Sequence, residues 1–139
     1  MSNQTKILVI DDDREMRDSL KHLLESAHFE VQTLTRAEQV IAQLENGAFD
    51  VILSDVRMPG MTGVELLGHV KTKHPDAIRI VFTGYADIKA VIEAINNGGL
   101  FRYIVKPWDP DELIKLLHEA AAEYDAAVSQ RQLLVDLLE

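Results

Sequence analysis

Short apolar segments alternate along the chain with longer segments of helical periodicity. Five of the apolar segments are predicted to be β-strands, at residues 6–10, 29–34, 51–55, 78–82 and 101–105. In the strands that begin at Lys6 and Val51, apolar residues follow one another directly and do not alternate with polar residues. This pattern is typical of strands that have both faces buried in a parallel sheet.

Between the strands, apolar residues recur at intervals of three and four, which predicts five amphipathic helices. The first helix runs from about Arg14 to Ala27, and in the fourth we expect Ile92 to face inward. The apolar positions of the first four helices are Met16, Leu20, Leu23, Leu24, Ala27, Ala37, Val40, Ile41, Leu44, Val64, Leu67, Val70, Ile88, Val91, Ile92 and Ile95.

Local signals mark the helix boundaries. Asp109 is predicted as the N-cap of the last helix, with Pro110 in its first turn. Gly63 opens the third helix, which stops before His74-Pro75 because the residue before a proline disfavours helical backbone. Glycines end two others, at Asn46-Gly47 and at Asn97-Gly98-Gly99.

This strict alternation predicts one α/β domain with a parallel sheet, right-handed crossovers and helices on both faces. We expect a disordered tail at residues 1–5, the domain at 6–124 and a helical extension at 125–139. Two interpretations of the extension stay open: it pairs with a second copy or leads to another domain, or it packs on its own domain with a frayed tail. Its heptad-like seam is Leu117, Ala121, Tyr124, Val128, Arg131, Val135 and Leu138.

Charge and composition narrow the function classes. The net charge is −9, from 14 basic and 23 acidic residues, which argues against nucleic-acid or anionic-membrane binding by this segment. Without cysteine, the chain has no disulfide, zinc–thiolate site or thiol nucleophile. No apolar run approaches the length of a membrane span and the first residues are polar, so a cytoplasmic location is the default expectation.

Candidate chemistry lies where the predicted strands end. Asp55 ends the third strand, the Asp11-Asp12-Asp13 run follows the first, and Thr83 and Lys106 end the fourth and fifth. Carboxyl ends of parallel strands share one rim, where ligands bind in open α/β sheets. We therefore expect Asp11, Asp12, Asp55, Thr83 and Lys106 to converge.

Carboxylates held together in this way repel one another, and a hard divalent cation such as Mg²⁺ would remove the repulsion. When the cation neutralises the negative charge of the carboxylates, the Lys106 ammonium and the Thr83 hydroxyl become available as donors for an anion such as phosphate. A carboxylate beside Mg²⁺ is a competent nucleophile towards phosphorus, so Asp55 could form an aspartyl phosphate. Taken alone, the acidic run more often marks a helix N-terminus, and we assign Asp13 to that role.

These motifs resemble the receiver (CheY-like) domain of two-component response regulators over about residues 6–124. The resemblance rests on Asp11-Asp12, on Asp55 with Met58-Pro59-Gly60 and Gly63, on Thr83-Gly84 and on Lys106-Pro107. It implies a flavodoxin-like, doubly wound sheet of five parallel strands in the order 2-1-3-4-5 with five helices. Gly84 departs from the family pattern, in which Ala or Ser is frequent at this position.

The resemblance also implies roles for individual residues. Asp55 matches the phosphoacceptor. Asp12 matches the direct Mg²⁺ ligand, and Asp11 matches the acid that holds a metal-bound water. Asp55 and the backbone carbonyl of Arg57 match the other protein ligands. Lys106, joined to Pro107 by a peptide bond expected to be cis, pairs with Asp55 and later with the phosphoryl group. Thr83 and Tyr103 match the switch residues.

The predicted function is signal reception without general enzymatic turnover. A sensor histidine kinase or phosphotransfer protein would phosphorylate Asp55, and slow autodephosphorylation would reset it. The fourth helix, fifth strand and fifth helix would pass the change to a homodimer partner or a fused output domain. An aspartyl-phosphate phosphatase and an unphosphorylated interaction module are the alternatives. The phosphatase is disfavoured because the chain lacks an Asp-x-Asp motif on the first strand and an insertion that could form a cap.

Overall fold

A computed structural model describes residues 4–44, 49–58, 60–97 and 100–138. Its five strands form a single parallel sheet in the order β2-β1-β3-β4-β5, which confirms the predicted fold class. The strands are β1 (Lys6–Ile10), β2 (Glu30–Leu34), β3 (Val51–Asp55), β4 (Ile78–Thr83) and β5 (Arg102–Val105).

Five α-helices connect and follow the strands, and a 3-10 turn at Tyr85–Asp87 leads into the fourth. They are α1 (Arg14–Ser26), α2 (Ala37–Leu44), α3 (Gly63–Lys73), α4 (Ile88–Asn96) and α5 (Pro110–Leu138). The predicted ends at Asn46-Gly47 and Gly98-Gly99 lie outside the described residues, as does Pro59. The predicted N-cap of α5 is confirmed, since the Glu112 amide donates to the Asp109 carboxylate at 3.2 Å.

The core lies on both faces of the sheet because alternate strand residues point to opposite sides. In β1, Leu8 and Ile10 belong to the layer covered by α2, α3 and α4, while Ile7 and Val9 belong to the layer covered by α1 and α5. Both layers consist mainly of buried aliphatic side chains, with Phe49 in the first layer and Phe29 and Phe82 in the second. The central strands are therefore held rigidly from two sides, and their carboxyl ends are well positioned.

The prediction that Ile92 faces inward is wrong, because its side chain is 40% exposed. In α4 only Val91 is buried, with Ala94 and Ile95 partly buried against the same layer. Successive helical residues are rotated by about 100°. Ile92 therefore falls on the outer flank of a stripe that is narrower than the sequence pattern suggested.

The last helix runs without a break from Pro110 to Leu138, through the predicted boundary between domain and extension. Tyr124 packs against the α1–α5 layer, and Arg131, a position of the predicted seam, forms an ion pair with Asp76 before β4. Beyond Arg131 the described side chains are exposed, including Leu134 and Val135.

At the other terminus, Gln4 donates a hydrogen bond to the His28 carbonyl, while residues 1–3 lie outside the described part. In the described ranges, no helix combines the length and the hydropathy that crossing a bilayer requires.

Candidate functional site

Three carboxylates from two neighbouring strand ends meet at the rim of the sheet. Asp11, Asp12 and Asp55 each offer an oxygen, and these oxygens lie within 4.8 Å of one another. They are brought together by pairing of β1 with β3, in which Ile10 is opposite Ser54. Each acid follows or ends its strand at the same level, so the parallel register alone accounts for the cluster.

Lys106 enters this cluster from the end of β5. Its Nζ donates to Oδ2 of Asp55 at 3.0 Å and lies 3.7 Å from Oδ2 of Asp11. The Lys106–Pro107 peptide bond is cis, as the sequence resemblance implied. Because β4 separates β5 from β3, the long lysine side chain is needed to span the distance to the acids.

Asp11 is fully buried, and its two carboxylate oxygens differ in their partners. Oδ1 accepts a hydrogen bond from the Asp13 amide at 2.9 Å, whereas buried Oδ2 accepts none. Burial raises the pKa of Asp11, and the neighbouring charge of Asp55 acts in the same direction. A buried carboxylate oxygen without a hydrogen-bond donor is only partly compensated for its lost hydration, here by the Lys106 ammonium 3.7 Å away.

This arrangement fits a hard divalent cation. The cluster offers only oxygen ligands, and one of its oxygens has no hydrogen-bond donor. The side chain of Asp12 is exposed, so water can reach the cluster and supply further ligands. Mg²⁺ takes a small number of protein carboxylates and retains several waters. Asp13 does not join the cluster but caps α1 by accepting from the Met16 amide at 3.3 Å, as predicted.

Thr83 ends β4 next to the acids, and its side chain is 1% exposed. Its hydroxyl donates to the carbonyl of Gly84 at 2.9 Å and not to Asp55. The Lys106 amide donates to the Thr83 carbonyl at 2.9 Å, which ties the ends of β4 and β5 together. Thr83 is thus beside the cluster, with its hydroxyl engaged elsewhere.

Tyr103 lies in β5, opposite Val81, and is half-buried against the layer that contains Val91. Its side chain therefore lies on the same face of the sheet as α4, two positions before the carboxyl end of β5. Trp108 packs in the opposite layer, with its ring centroid 5.1 Å from that of Phe82.

Sequence reasoning missed a close approach between β3 and α3. A Cβ on Gly63 would lie 2.2 Å from the carbonyl oxygen of Asp55, and the Gly63 amide donates to Val56 at 2.8 Å. The Ser54 hydroxyl donates to that same Asp55 carbonyl at 3.0 Å. Gly63 therefore allows the start of α3 to hold the backbone of Asp55 in place, whereas its sequence position suggested only a helix start.

Sequence reasoning also missed Asp87. The guanidinium of Arg57 donates to its carboxylate from Nε at 2.8 Å and from Nη2 at 3.2 Å. These hydrogen bonds lower the pKa of Asp87 and raise the pKa of Arg57. The signal available in the sequence was an aspartate at the start of a helix, which by itself indicates only a cap.

Comparisons with known proteins agree with this geometry. Residues 7–118 match the family model described as response regulator receiver domain. The chain is 41% identical over 117 residues to the hydrogenase transcriptional regulatory protein HoxA of Cupriavidus necator, covering 84% of this chain and 24% of that protein. It is 34% identical over 137 residues to the transcriptional regulatory protein FixJ of Bradyrhizobium diazoefficiens, covering 99% of this chain and 66% of that protein.

Among solved structures, the chain superposes with a TM-score of 0.90 on one described as adenylate cyclase from Rhodopirellula baltica. The sequences are 32% identical, and the match covers 95% of this chain and 98% of that one. The chain spans about a quarter of the length of HoxA and about two thirds of FixJ.

Proposed function

The chain belongs to the response regulator receiver family, and on that premise we propose that Asp55 is its phosphoacceptor. The observation that carries this proposal is the 3.0 Å pairing of Lys106 with Asp55 inside a cluster of three carboxylates. A lysine held there can neutralise either the carboxylate or a phosphoryl group attached to it. The donor would be a phosphohistidine of a sensor kinase or of a phosphotransfer protein.

Asp11, Asp12, Asp55 and the backbone carbonyl of Arg57 would hold Mg²⁺, which when bound supplies positive charge against the carboxylate and phosphoryl oxygens. The Oδ2 of Asp11, which is buried without a hydrogen-bond donor, supports this assignment. In the transfer, an oxygen of Asp55 forms a bond to phosphorus while the phosphorus–nitrogen bond of the donor breaks. The bonding electron pair leaves with the imidazole nitrogen, and a donor ring that is protonated on its other nitrogen departs as neutral imidazole, so no oxidant is required.

Positioning and charge neutralisation account for most of such a reaction. Lys106 already lies within hydrogen-bond distance of Asp55 and would then donate to a phosphoryl oxygen. The backbone of Asp55 is held by Ser54 and by the close approach of Gly63. The nucleophile thus needs little rearrangement before transfer.

Phosphorylation would act as a switch through Thr83 and Tyr103. The Thr83 hydroxyl would exchange the Gly84 carbonyl for a phosphoryl oxygen, and Tyr103 would turn inward in the space that Thr83 vacates. Driving such a two-state equilibrium from mostly off to mostly on takes about 5.5 kcal/mol. Two or three charge-assisted hydrogen bonds, worth about 1.5–3 kcal/mol each, can supply it.

The signal would leave through α4, β5 and α5. Part of α5 extends past the domain with exposed Leu134, Val135 and Leu138, which suits pairing with a second copy or continuation into an output domain. Two relatives, HoxA and FixJ, are described as transcriptional regulatory proteins and are longer than this chain. We assign the output of this protein to the same general class, transcription.

Intact mass after incubation with acetyl phosphate tests the proposal. With Mg²⁺, we expect the wild type to gain the mass of one phosphoryl group, and to gain none with a chelator, because charge neutralisation is then missing. Asp55→Asn should gain none in either condition. A phosphoryl group on the Asp55→Asn variant would contradict the assignment, and sustained hydrolysis of a generic phosphate ester would favour the phosphatase alternative.

A further inference from the structure

Asp87 stands at the N-cap position of α4, yet its carboxylate makes no capping hydrogen bond. N-cap aspartates ordinarily accept from an amide in the first turn of the helix, which otherwise has no partner within the helix. Here each carboxylate oxygen accepts from the guanidinium of Arg57, Oδ2 from Nε and Oδ1 from Nη2. The first turn of α4 is therefore left without the cap that its own sequence provides.

The ion pair connects two segments that the proposed switch must move relative to each other. Arg57 follows Asp55 by two residues, and its amide lies 3.4 Å from Oδ1 of Asp55. Asp87 closes the 3-10 turn that begins directly after Thr83-Gly84, and its amide donates to the Gly84 carbonyl at 3.2 Å. The segment 84–87 is thus held at one end by Thr83 and at the other by Arg57.

We infer that Asp87 is a positioning residue with two exclusive partners, Arg57 before phosphorylation and the first-turn amides of α4 afterwards. A phosphoryl group on Asp55 adds negative charge near Arg57 and competes with Asp87 for the guanidinium. Movement of Thr83 towards that group pulls on Gly84 and the turn behind it. The released carboxylate would then accept from the amides of Lys89 and Ala90, the positions that an N-cap residue serves, once the Asp87 backbone turns from its present φ of −106° and ψ of 2° to the extended conformation of a cap.

The energies of the two arrangements are similar enough for exchange. The side chain of Arg57 is 74% exposed and that of Asp87 is 24% exposed, so solvent screens the ion pair on the arginine side, although its two hydrogen bonds make it stronger than a single-contact surface pair. A single capping bond is of comparable strength. By thermodynamic reciprocity, an ion pair made only in the unphosphorylated state must oppose phosphorylation. This inference rests on the proposed function, since it needs a phosphoryl group at Asp55.

Two substitutions at Asp87 separate the two partners. Asp87→Asn removes the ion pair but retains a side chain that caps helices well, whereas Asp87→Ala removes both. The probe is beryllofluoride with Mg²⁺, a phosphoryl mimic, titrated while the fluorescence of Trp108, the single tryptophan, is followed. We expect Asp87→Asn to bind it about two- to fivefold more tightly than the wild type, the range that an exposed ion pair allows. Asp87→Ala should remain close to the wild type.

Amide hydrogen exchange in α4 supplies a readout that does not depend on affinity. In the wild type, protection of the Lys89 and Ala90 amides from exchange should rise when the mimic binds. In Asp87→Asn this protection should be high even without the mimic, and in Asp87→Ala it should stay low. Arg131→Gln is the matched control, because it breaks an ion pair of similar exposure, 62% and 20%, at the opposite end of β4. It should leave both measurements unchanged.

Equal affinities for wild type and Asp87→Asn, or equal gains for Asn and Ala, would overturn the inference. So would unchanged protection of Lys89 and Ala90 when the mimic binds. If the wild type itself does not bind beryllofluoride with Mg²⁺, the proposed function fails and the inference fails with it. The two failures are therefore distinguishable.

Discussion

At the level of single residues, Asp11 shows most clearly how the site sets stability against chemistry. Its side chain is completely buried, one oxygen has no hydrogen-bond donor, and the Lys106 ammonium is 3.7 Å away. Burial disfavours the charged form and raises the pKa of Asp11. A group that costs stability and offers an unused ligand atom is best explained by what it binds.

This cost should appear in the pH dependence of unfolding. Because the pKa of Asp11 is raised on folding, the unfolded state loses its proton first, and the folded state loses stability as pH rises past the ordinary value of 3.8 towards the folded value. With a chelator present, we expect Asp11→Asn to be more stable than the wild type near pH 7. The difference should shrink towards pH 4.

Urea denaturation across that pH range measures the effect. Adding Mg²⁺ should stabilise the wild type but not Asp11→Asn, by about 2.7 kcal/mol when Mg²⁺ is a hundredfold above its dissociation constant. A difference between the two proteins that grows as the solution becomes more acidic would contradict this account of Asp11.

At the level of elements, the junction of β3 and α3 determines where Asp55 lies. The amino end of α3 approaches so closely that a side chain at Gly63 would collide with the Asp55 carbonyl, with a Cβ–oxygen distance of 2.2 Å. Thr62 caps the same helix by accepting from the Glu65 amide at 3.1 Å. The helix therefore begins at a defined residue and in contact with the strand end.

We expect Gly63→Ala to destabilise the domain by about 1–3 kcal/mol, the usual cost of forcing added atoms into a packed site. It should also slow phosphorylation, because the backbone of Asp55 must shift. Gly68→Ala in the same helix is the control, since nothing lies within 4 Å of its added Cβ. That variant should gain about 0.5–1 kcal/mol from better helix propensity.

Urea denaturation of both variants, together with the intact-mass assay, checks the prediction. A Gly63→Ala protein as stable as the wild type would mean that α3 can move away from β3 at little cost. The site would then tolerate more rearrangement than the packing indicates.

At the level of the whole molecule, the sheet separates two ends with different tasks. The acids and Lys106 lie at the carboxyl rim, whereas the ion pair of Arg131 with Asp76 lies near the amino end of β4. Arg131 is therefore paired within its own chain, and this ion pair fixes the direction in which the end of α5 runs. The two seam positions that follow Arg131, Val135 and Leu138, are exposed.

If the extension pairs with a second copy through this seam, replacing Val135 and Leu138 by serine should weaken self-association at least tenfold. Each buried aliphatic side chain is worth about 1.5–3 kcal/mol, and a tenfold change needs only about 1.4 kcal/mol. Leu133→Ser with Leu137→Ser is the control, because these exposed leucines lie off the seam. Sedimentation equilibrium distinguishes the two, and equal loss in both variants would mean that the seam does not direct the pairing.

Much of this protein was readable from its sequence, because the relevant signals are local. Alternation of apolar strands with periodic helices depends on neighbouring residues, and it predicted the parallel α/β architecture. The caps at Asp13 and Asp109 act over three residues and were predicted correctly. The positions of Asp55 and Lys106 at strand ends followed from the same local pattern, and the parallel topology then placed them at one rim.

Other features depend on distances between elements that are far apart in the chain. Arg57 and Asp87 are 30 residues apart, and no local pattern pairs them. The width of the buried stripe on α4, which leaves Ile92 exposed, depends on how the helix sits on the sheet. The close approach of α3 to Asp55 at Gly63 and the Asp11 oxygen without a hydrogen-bond donor likewise arise only when packed elements exclude water and bring backbones together. The sequence therefore determined the elements and the ingredients of the site, while tertiary packing alone decided how tightly those ingredients are held and which elements they link.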